Sequence, residues 1–266
     1  MPKTYGDNAL IGYGISPISF IDDHEYIVFK AIWKYKKQSN GLSAKEGKMP
    51  IFKDRRDAGR KLAKKLTSYA NRSDVVVLAL PRGGVPVAYE VALALNVPLD
   101  IFIVRKLGLP DHEELAMGAI ATGGARVINQ DIVRNFNVPQ GLIEAVVRRE
   151  LKELERRERL YRGDRAMREI HDRTVILIDD GLATGASMHA AIIGLRARDS
   201  ARIMIAVPTA ALETCEAFKD EVDEIICATT PEPFYGVSRW YEDFSQITDE
   251  EVQMLLEEAA RQILHE

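Results

Sequence analysis

The stretch VILIDDGLATGAS, residues 175–187, restricts what this chain can fold into more than any other. Val175, Ile176, Leu177 and Ile178 form an unbroken apolar, largely β-branched run. Such a run fits a strand covered on both faces, as in a parallel sheet between helices. Asp179 and Asp180 follow at its carboxyl end, where ligands gather in open α/β sheets. Gly181, Ala183, Gly185 and Ala186 are small enough for backbone to approach a ligand closely. Thr184 and Ser187 add hydroxyls, and the helix expected next turns its free N–H groups back on the loop. This half of the stretch suits a phosphate. The adjacent acids cannot hold the same anion, so they serve sugar hydroxyls or a metal. A phosphorylated sugar satisfies both halves.

The remaining chain supplies the setting for such a strand. Val75 to Leu80 reads as a second buried strand, followed by Pro81, Arg82, Gly83 and Gly84 and then a helix with Val87, Ala88, Val91, Ala92 and Leu95 inward. A glycine pair between strand and helix is a second anion site. The next strand is expected from Leu99 to Val104, with Arg105 and Lys106 at its end. Further strands are expected near 202 and 223, with helices between, so the alternation predicts a doubly wound, mostly parallel five-stranded α/β sheet. Residues 116–121 and 125–129, around Thr122, Gly123 and Gly124, read as a hairpin.

Three stretches depart from that rhythm. Residues 1–48 hold aromatics and a polar, Gly-containing tail without clear period. They are expected to be an extension, non-native or poorly packed, with 49–266 as the domain and Asp54 capping its first helix. A real N-terminal element packed on the domain is the alternative. Residues 131–168 are a charged helical insertion. Glu144/Arg148, Arg149/Glu153, Glu153/Arg157 and Glu158/Arg162 stand at i,i+4 spacing. Its apolar stripe is narrow (Ile143, Val146, Val147, Leu151, Leu154, Leu160), which fits a lid or a dimer surface, and a homodimer is expected. Residues 231–266 begin with an aperiodic aromatic segment and end in an amphipathic helix capped by Thr248 and Glu251. Phe234, Tyr235 and Trp240 could stack a flat acceptor such as a nucleobase; the alternative is that these rings pack the tail onto the sheet.

Composition excludes several classes. The 36 basic residues against 40 acidic ones make the net charge −4, so no global basic field argues for nucleic acid. No apolar run reaches the roughly 20 residues of a membrane span, and the first residues lack a signal-peptide core. The five histidines form no ligand cluster. Cys215 and Cys227 lack metal-ligand spacing and fit two reduced, buried thiols in a cytoplasmic protein.

Asp179-Asp180-Gly-Leu-Ala-Thr184-Gly185-Ala-Ser187 resembles the phosphoribosyl pyrophosphate (PRPP) loop of the type I phosphoribosyltransferases. The resemblance extends over roughly residues 55–245, and the layout looks most like a group of predicted prokaryotic phosphoribosyltransferases of unassigned acceptor. It implies transfer of a 5-phosphoribosyl group from PRPP to a nitrogen acceptor with release of pyrophosphate, and Mg2+ as cofactor. Ala183, Thr184, Gly185, Ala186 and Ser187 would hold the 5′-phosphate. Asp179 and Asp180 would grip the ribose diol and touch the metal weakly or indirectly. Arg82, Gly83, Gly84 and Lys106 would bind pyrophosphate, with Arg105 beside them. The hairpin would fold over the site, and Glu113 or Glu114 could supply a general acid or base, though loop acids are more often simply solvated. Family members acting on 6-oxopurines carry an acid where this chain has Ala183, so guanine and hypoxanthine are disfavoured. The competing reading is a regulatory protein of the same fold that binds PRPP or a nucleotide without catalysis.

Overall fold

The computed structural model describes residues 51–109 and 112–263; the expected extension 1–48 and its boundary at Met49 lie outside the described residues. Asp54 accepts the Asp57 amide at 2.7 Å and so starts α1 (Arg55–Ala63), as expected of an N-cap. Then follow β1 (Val75–Ala79), α2 (Gly84–Leu95) and β2 (Leu99–Ile101). A three-stranded unit of β3 (Val104–Leu109), β4 (His112–Ala121) and β5 (Arg126–Ile128) leads into α3 (Gln130–Asn135) and α4 (Gln140–Arg162). The chain closes with β6 (Thr174–Ile178), α5 (Ala186–Arg196), β7 (Arg202–Thr209), α6 (Leu212–Ala217), β8 (Glu224–Thr229) and α7 (Asp249–Ile263).

The main sheet has the order β2-β1-β6-β7-β8 and every pair is parallel. This is the doubly wound sheet expected from the alternation. Its two faces explain the unbroken apolar runs. Val75, Val77, Ala79, Ile176 and Ile178 point into one core layer with α2 and α7, whereas Val76, Leu78, Val175 and Leu177 point into the other with α5 and α6. With both faces dry, the runs 75–79 and 175–178 have no wet side for a polar residue. From β1 the chain winds outward to β2, and from β6 it winds the other way to β7 and β8. The strand order therefore reverses between β1 and β6, and a crevice opens at their carboxyl ends.

The strand expected from Leu99 to Val104 is shorter. Phe102 makes the last ladder bond, its amide donating to Ala79 at 2.9 Å. Ile103 then exchanges bonds with Thr122, so the chain turns out of the sheet and starts a separate antiparallel one, β3-β4-β5. Arg105 and Lys106 thus stand on β3, not at the end of a main-sheet strand. The expected glycine-turn hairpin is β4–β5, with Gly118 opposite Ile128.

In α4 the stripe of Ile143, Val146, Val147 and Leu154 is buried in the same core layer as Leu107, Met117 and Ile120 of the hairpin unit. Two of the expected helical ion pairs form, Glu153–Arg157 at 2.8 Å and Glu158–Arg162 at 3.3 Å. Glu144 instead meets Arg126 of β5, because that flank of the helix faces the hairpin, and Arg149 meets its neighbour Glu150. Cys215 of α6 and Cys227 of β8 are joined as a disulfide, correcting the expectation of two reduced thiols. α6 packs where β8 passes, which spacing along the chain does not reveal.

Candidate active site

Two loops meet at the crevice. Leu80 donates to Ile178 at 2.9 Å, which ties their roots together. The second loop is braced from beyond: Leu182 donates to Thr209 at 2.9 Å, Ala211 to Leu182 at 3.0 Å, and the Thr214 hydroxyl to the Ala183 carbonyl at 2.6 Å. Gly185 has φ of +74°, and a Cβ there would strike the Phe218 ring. Only glycine takes both the left-handed turn and the contact. No side chain caps α5 among the described residues. The first amides of that helix lack a side-chain acceptor, and Thr184 and the exposed Ser187 stand beside them.

The acids lie where the first loop touches the second. A Cβ on Gly83 would overlap Asp180 Oδ2, and one on Gly84 would lie 2.9 Å from the Asp179 α-carbon. The glycine pair is therefore what lets the backbone of one loop press on the carboxylates of the other. Asp179 Oδ1 accepts the Asp180 amide at 2.8 Å. Asp180 Oδ2 accepts Arg55 Nε at 2.8 Å, and the Tyr241 hydroxyl donates to the Asp180 carbonyl at 2.6 Å. Arg55 also donates to the Ser245 carbonyl at 2.8 Å, and its guanidinium lies 3.8 Å over the Phe244 ring.

The electrostatics follow from this packing. Loss of water around Asp179, reinforced by the charge of Asp180, raises its carboxyl well above the usual range. Asp180 is raised as well, since dehydration outweighs the attraction of Arg55. Burial and the neighbouring Asp180 hold the Tyr241 hydroxyl protonated. Two acids kept partly dry at a crevice are poised to exchange that penalty for ligand hydroxyls or a cation.

The remaining expected residues are placed as follows. Arg82 follows a cis peptide and lies 3.7 Å from Asp249 at the start of α7. Arg105 is held by the buried Glu150 of α4, through bonds of 3.0 and 2.6 Å. Lys106 is exposed on β3 opposite Ala119. Glu114 belongs to β4, and its side chain and that of Glu113 lie outside the described residues. Trp240 is buried with Phe52, Ala58 and Tyr241, and its ring stacks on Phe234 at 6.5 Å. Tyr235 is exposed beneath Arg239. Arg55, Glu150 and Tyr241 carry no signal in the sequence that marks them for this site. Arg55 in particular reads as an ordinary cation in the first turn of a helix.

Asp179 Oδ1 and Asp180 Oδ2 are engaged by protein, which leaves each acid one further oxygen. No group of three His, Cys, Asp or Glu side chains gathers among the described residues. That donor set fits a hard divalent ion held mainly by substrate oxygens and water, and does not fit a resident structural metal.

A parallel sheet with an acid pair, a glycine turn and an uncapped helix at its switch point defines an α/β protein of the doubly wound class. The chain belongs to the type I phosphoribosyltransferase family, its phosphoribosyl transferase domain spanning residues 52–232. A Mycobacterium tuberculosis protein, provisionally named a phosphoribosyl transferase and present in two strains, is 43% identical over 213 residues. That match takes in 80% of this chain and 48% of the relative, so the chain spans about half the length of the curated relatives it matches. A crystal structure of a Thermus thermophilus protein is similar at 40% identity and a TM-score of 0.69, over 79% of this chain and 99% of that one. Among the described residues no helix is long and apolar enough to cross a membrane.

Proposed function

We propose that the chain transfers the 5-phosphoribosyl group of PRPP to a nitrogen acceptor: a C–N bond to the acceptor forms at the anomeric carbon as its C–O bond breaks and pyrophosphate leaves. One observation carries the reading: Gly83 and Gly84 press directly on Asp179 and Asp180, so a pyrophosphate turn and a diol-binding acid pair share one crevice beside the uncapped α5 loop. The family membership and the similarity to phosphoribosyl transferases support the same chemistry.

In this mechanism the amides of 183–187, with the Thr184 and Ser187 hydroxyls, bind the 5′-phosphate. Asp179 and Asp180 accept from the 2′- and 3′-hydroxyls, and Arg55 fixes the rotamer of Asp180. Arg82, Lys106 and the amides at Gly83 and Gly84 receive the leaving pyrophosphate, and Arg105 on β3 joins them by exchanging Glu150 for pyrophosphate oxygens. When bound, Mg2+ would neutralise oxygens of the donor and leaving group. Breaking the anomeric C–O bond builds positive charge on the sugar, which the two carboxylates stabilise, so positioning and electrostatics do most of the work. The β3-β4-β5 unit covers the sugar and keeps water from that centre. Glu114 is the candidate acid or base, and the open face of Tyr235 the candidate platform for the acceptor. Ala183 offers no acid to a 6-oxopurine, which disfavours guanine and hypoxanthine and leaves the acceptor open.

The test is pyrophosphate release from PRPP and Mg2+ across a panel of heterocyclic bases. Acceptor-dependent release supports the reading. PRPP binding without release by any acceptor would favour the regulatory alternative, and no PRPP binding would overturn the transfer reaction and leave only a regulator that binds a nucleotide.

A further inference from the structure

We propose that a cavity at the root of the β3-β4-β5 unit, remote from the phosphate loop, is a second anion site that takes a compact diphosphate group. The cavity is about 300 Å³ and is lined by Arg159, Arg162, Arg165, Arg198 and a single acid, Glu158. Its rim is the β4–β5 turn at Thr122 and Gly123. The size is at the lower end for small-molecule sites.

Arginines at the ends of helices have an ordinary explanation, since they satisfy the last carbonyls and oppose the dipole. That explanation covers two of the four. Arg162 is paired with Asp100 at 2.8 Å and with Glu158, and also bonds the Ile101 carbonyl. Arg165 spends its donors on the carbonyls of Tyr161, Arg162 and Leu256, which leaves its charge without a counterion. Arg159 is exposed at the cavity edge, and no acid pairs with Arg159, Arg165 or Arg198 among the described residues. Arg198 is the informative one. Its Nε is buried and finds no acceptor, and its guanidinium lies so close over Gly123 that a Cβ there would overlap it. Glu169 lies within the field of Arg198, but its carboxylate already accepts the amides of Ile170 and His171.

A buried donor without an acceptor calls for a partner from solution. Three guanidinium groups that lack a close ion pair among the described residues, with Glu169 as the one acid acting on Arg198, call for a multiply charged anion, and their forks match phosphate oxygens. Met167 is the one sizeable apolar side chain in the lining, so the walls favour the charged group over a base. The 11 residues of α5 separate this cavity from the phosphate loop by about 16 Å of helix, so the two sites are distinct. An anion here would clasp Arg198 at one end of α5 to the turn of the hairpin unit, joining the helix that carries the phosphate loop to the segment proposed to cover it. Free pyrophosphate and the diphosphate end of a nucleotide share the chemistry required.

Titration of the full chain with inorganic pyrophosphate, without magnesium, tests the inference when wild type is compared with Arg159→Glu and Arg198→Gln. Arg159 is exposed, so its variant folds whatever happens at Arg198. The expected result is a set of sites weakened about tenfold or more in both variants, the loss of a charge-assisted contact, with PRPP titration unchanged. Amide hydrogen exchange at 122–124 should slow on adding pyrophosphate to wild type and not to the variants. An ADP arm identifies the source: competition with pyrophosphate for these sites supports a nucleotide, and its absence supports the free anion. Identical isotherms for all three proteins would overturn the inference and leave water as the partner of Arg198. Failure of PRPP to bind would sink the proposed reaction without touching this result.

Discussion

Arg55 donates its Nε–H to Asp180 at 2.8 Å, although the two residues stand 125 positions apart in the chain. Both side chains are largely shielded from water, at 9% and 15% exposure. The pair joins the first described helix to the carboxylate at the centre of the candidate site, and Phe244 backs the guanidinium. Removing one member of such a pair strands the other charge. Arg55→Ala is expected to cost about 3 kcal/mol of folding stability in urea titrations, and to weaken PRPP binding. Arg55→Lys should recover part of the stability and little of the geometry, since a lysine has no planar fork. Unchanged urea midpoints for Arg55→Ala would remove the pair from the account.

Asp179 is expected to trade stability for binding. Its carboxyl is raised in the folded chain, so its contribution is fully present below the unfolded value and is lost as pH rises through the folded one. Above the unfolded value the raised carboxyl therefore weighs against folding. Asp179→Asn keeps an oxygen for the Asp180 amide and removes the ionisable group, so it should raise stability at neutral pH while lowering PRPP affinity. A thermal melt and a PRPP titration of the same sample decide it, and a lower melting temperature would count against the assignment.

The contact of Gly83 with Asp180 makes Gly83→Ala informative. Its φ of −60° suits alanine, so the backbone is not strained. The new methyl must instead displace the Asp180 carboxylate. PRPP affinity should fall at least about tenfold, equivalent to ~1.4 kcal/mol, and the melting temperature should fall as well, because the displaced Oδ2 is the oxygen that holds Arg55. Binding equal to wild type would show that the two loops do not act together.

Ser187 is exposed at the start of α5 and has been given a phosphate contact. Ser187→Ala is expected to lose about 1–3 kcal/mol of PRPP binding, as for a hydrogen bond to a charged group. Full retention of affinity, measured by calorimetry with Mg2+ present, would mean that the loop amides suffice.

Tyr161 of α4 donates to Asp249 of α7 at 2.6 Å, and Asp249 also lies beside Arg82. Burial, then the bond to Asp249, raises the tyrosine from 10.0 to about 12. A raised group contributes stability that is whole below its unfolded value and fades as pH climbs through the folded one. Wild type should thus lose stability between pH 10 and about 12, whereas Tyr161→Phe should lack that component and be about 1 kcal/mol less stable at pH 8. Parallel alkaline unfolding curves for the two proteins would rule the coupling out.

What sequence alone determined is whatever depends on neighbours along the chain. The runs in β1 and β6 can only be strands buried on both faces, and Asp179 through Ser187 are consecutive, so the phosphate loop and its acids are legible together. Asp54 and Thr248 cap their helices through residues three positions on. The tertiary structure decided every partnership across the chain. The strand beginning at Leu99 is shorter than its apolar run, because residues continue apolar past Phe102 and only the competing bonds to Thr122 end it. The insertion helix offers a stripe that could face a partner or a lid, and packing against β3 and β4 settled it. Arg55 is one arginine among many on helices, and Cys215 and Cys227 are two thiols among possible states; no local pattern selects their partners. Period and composition record which face of an element is dry, but the identity of the group that meets it across the core depends on how the layers stack.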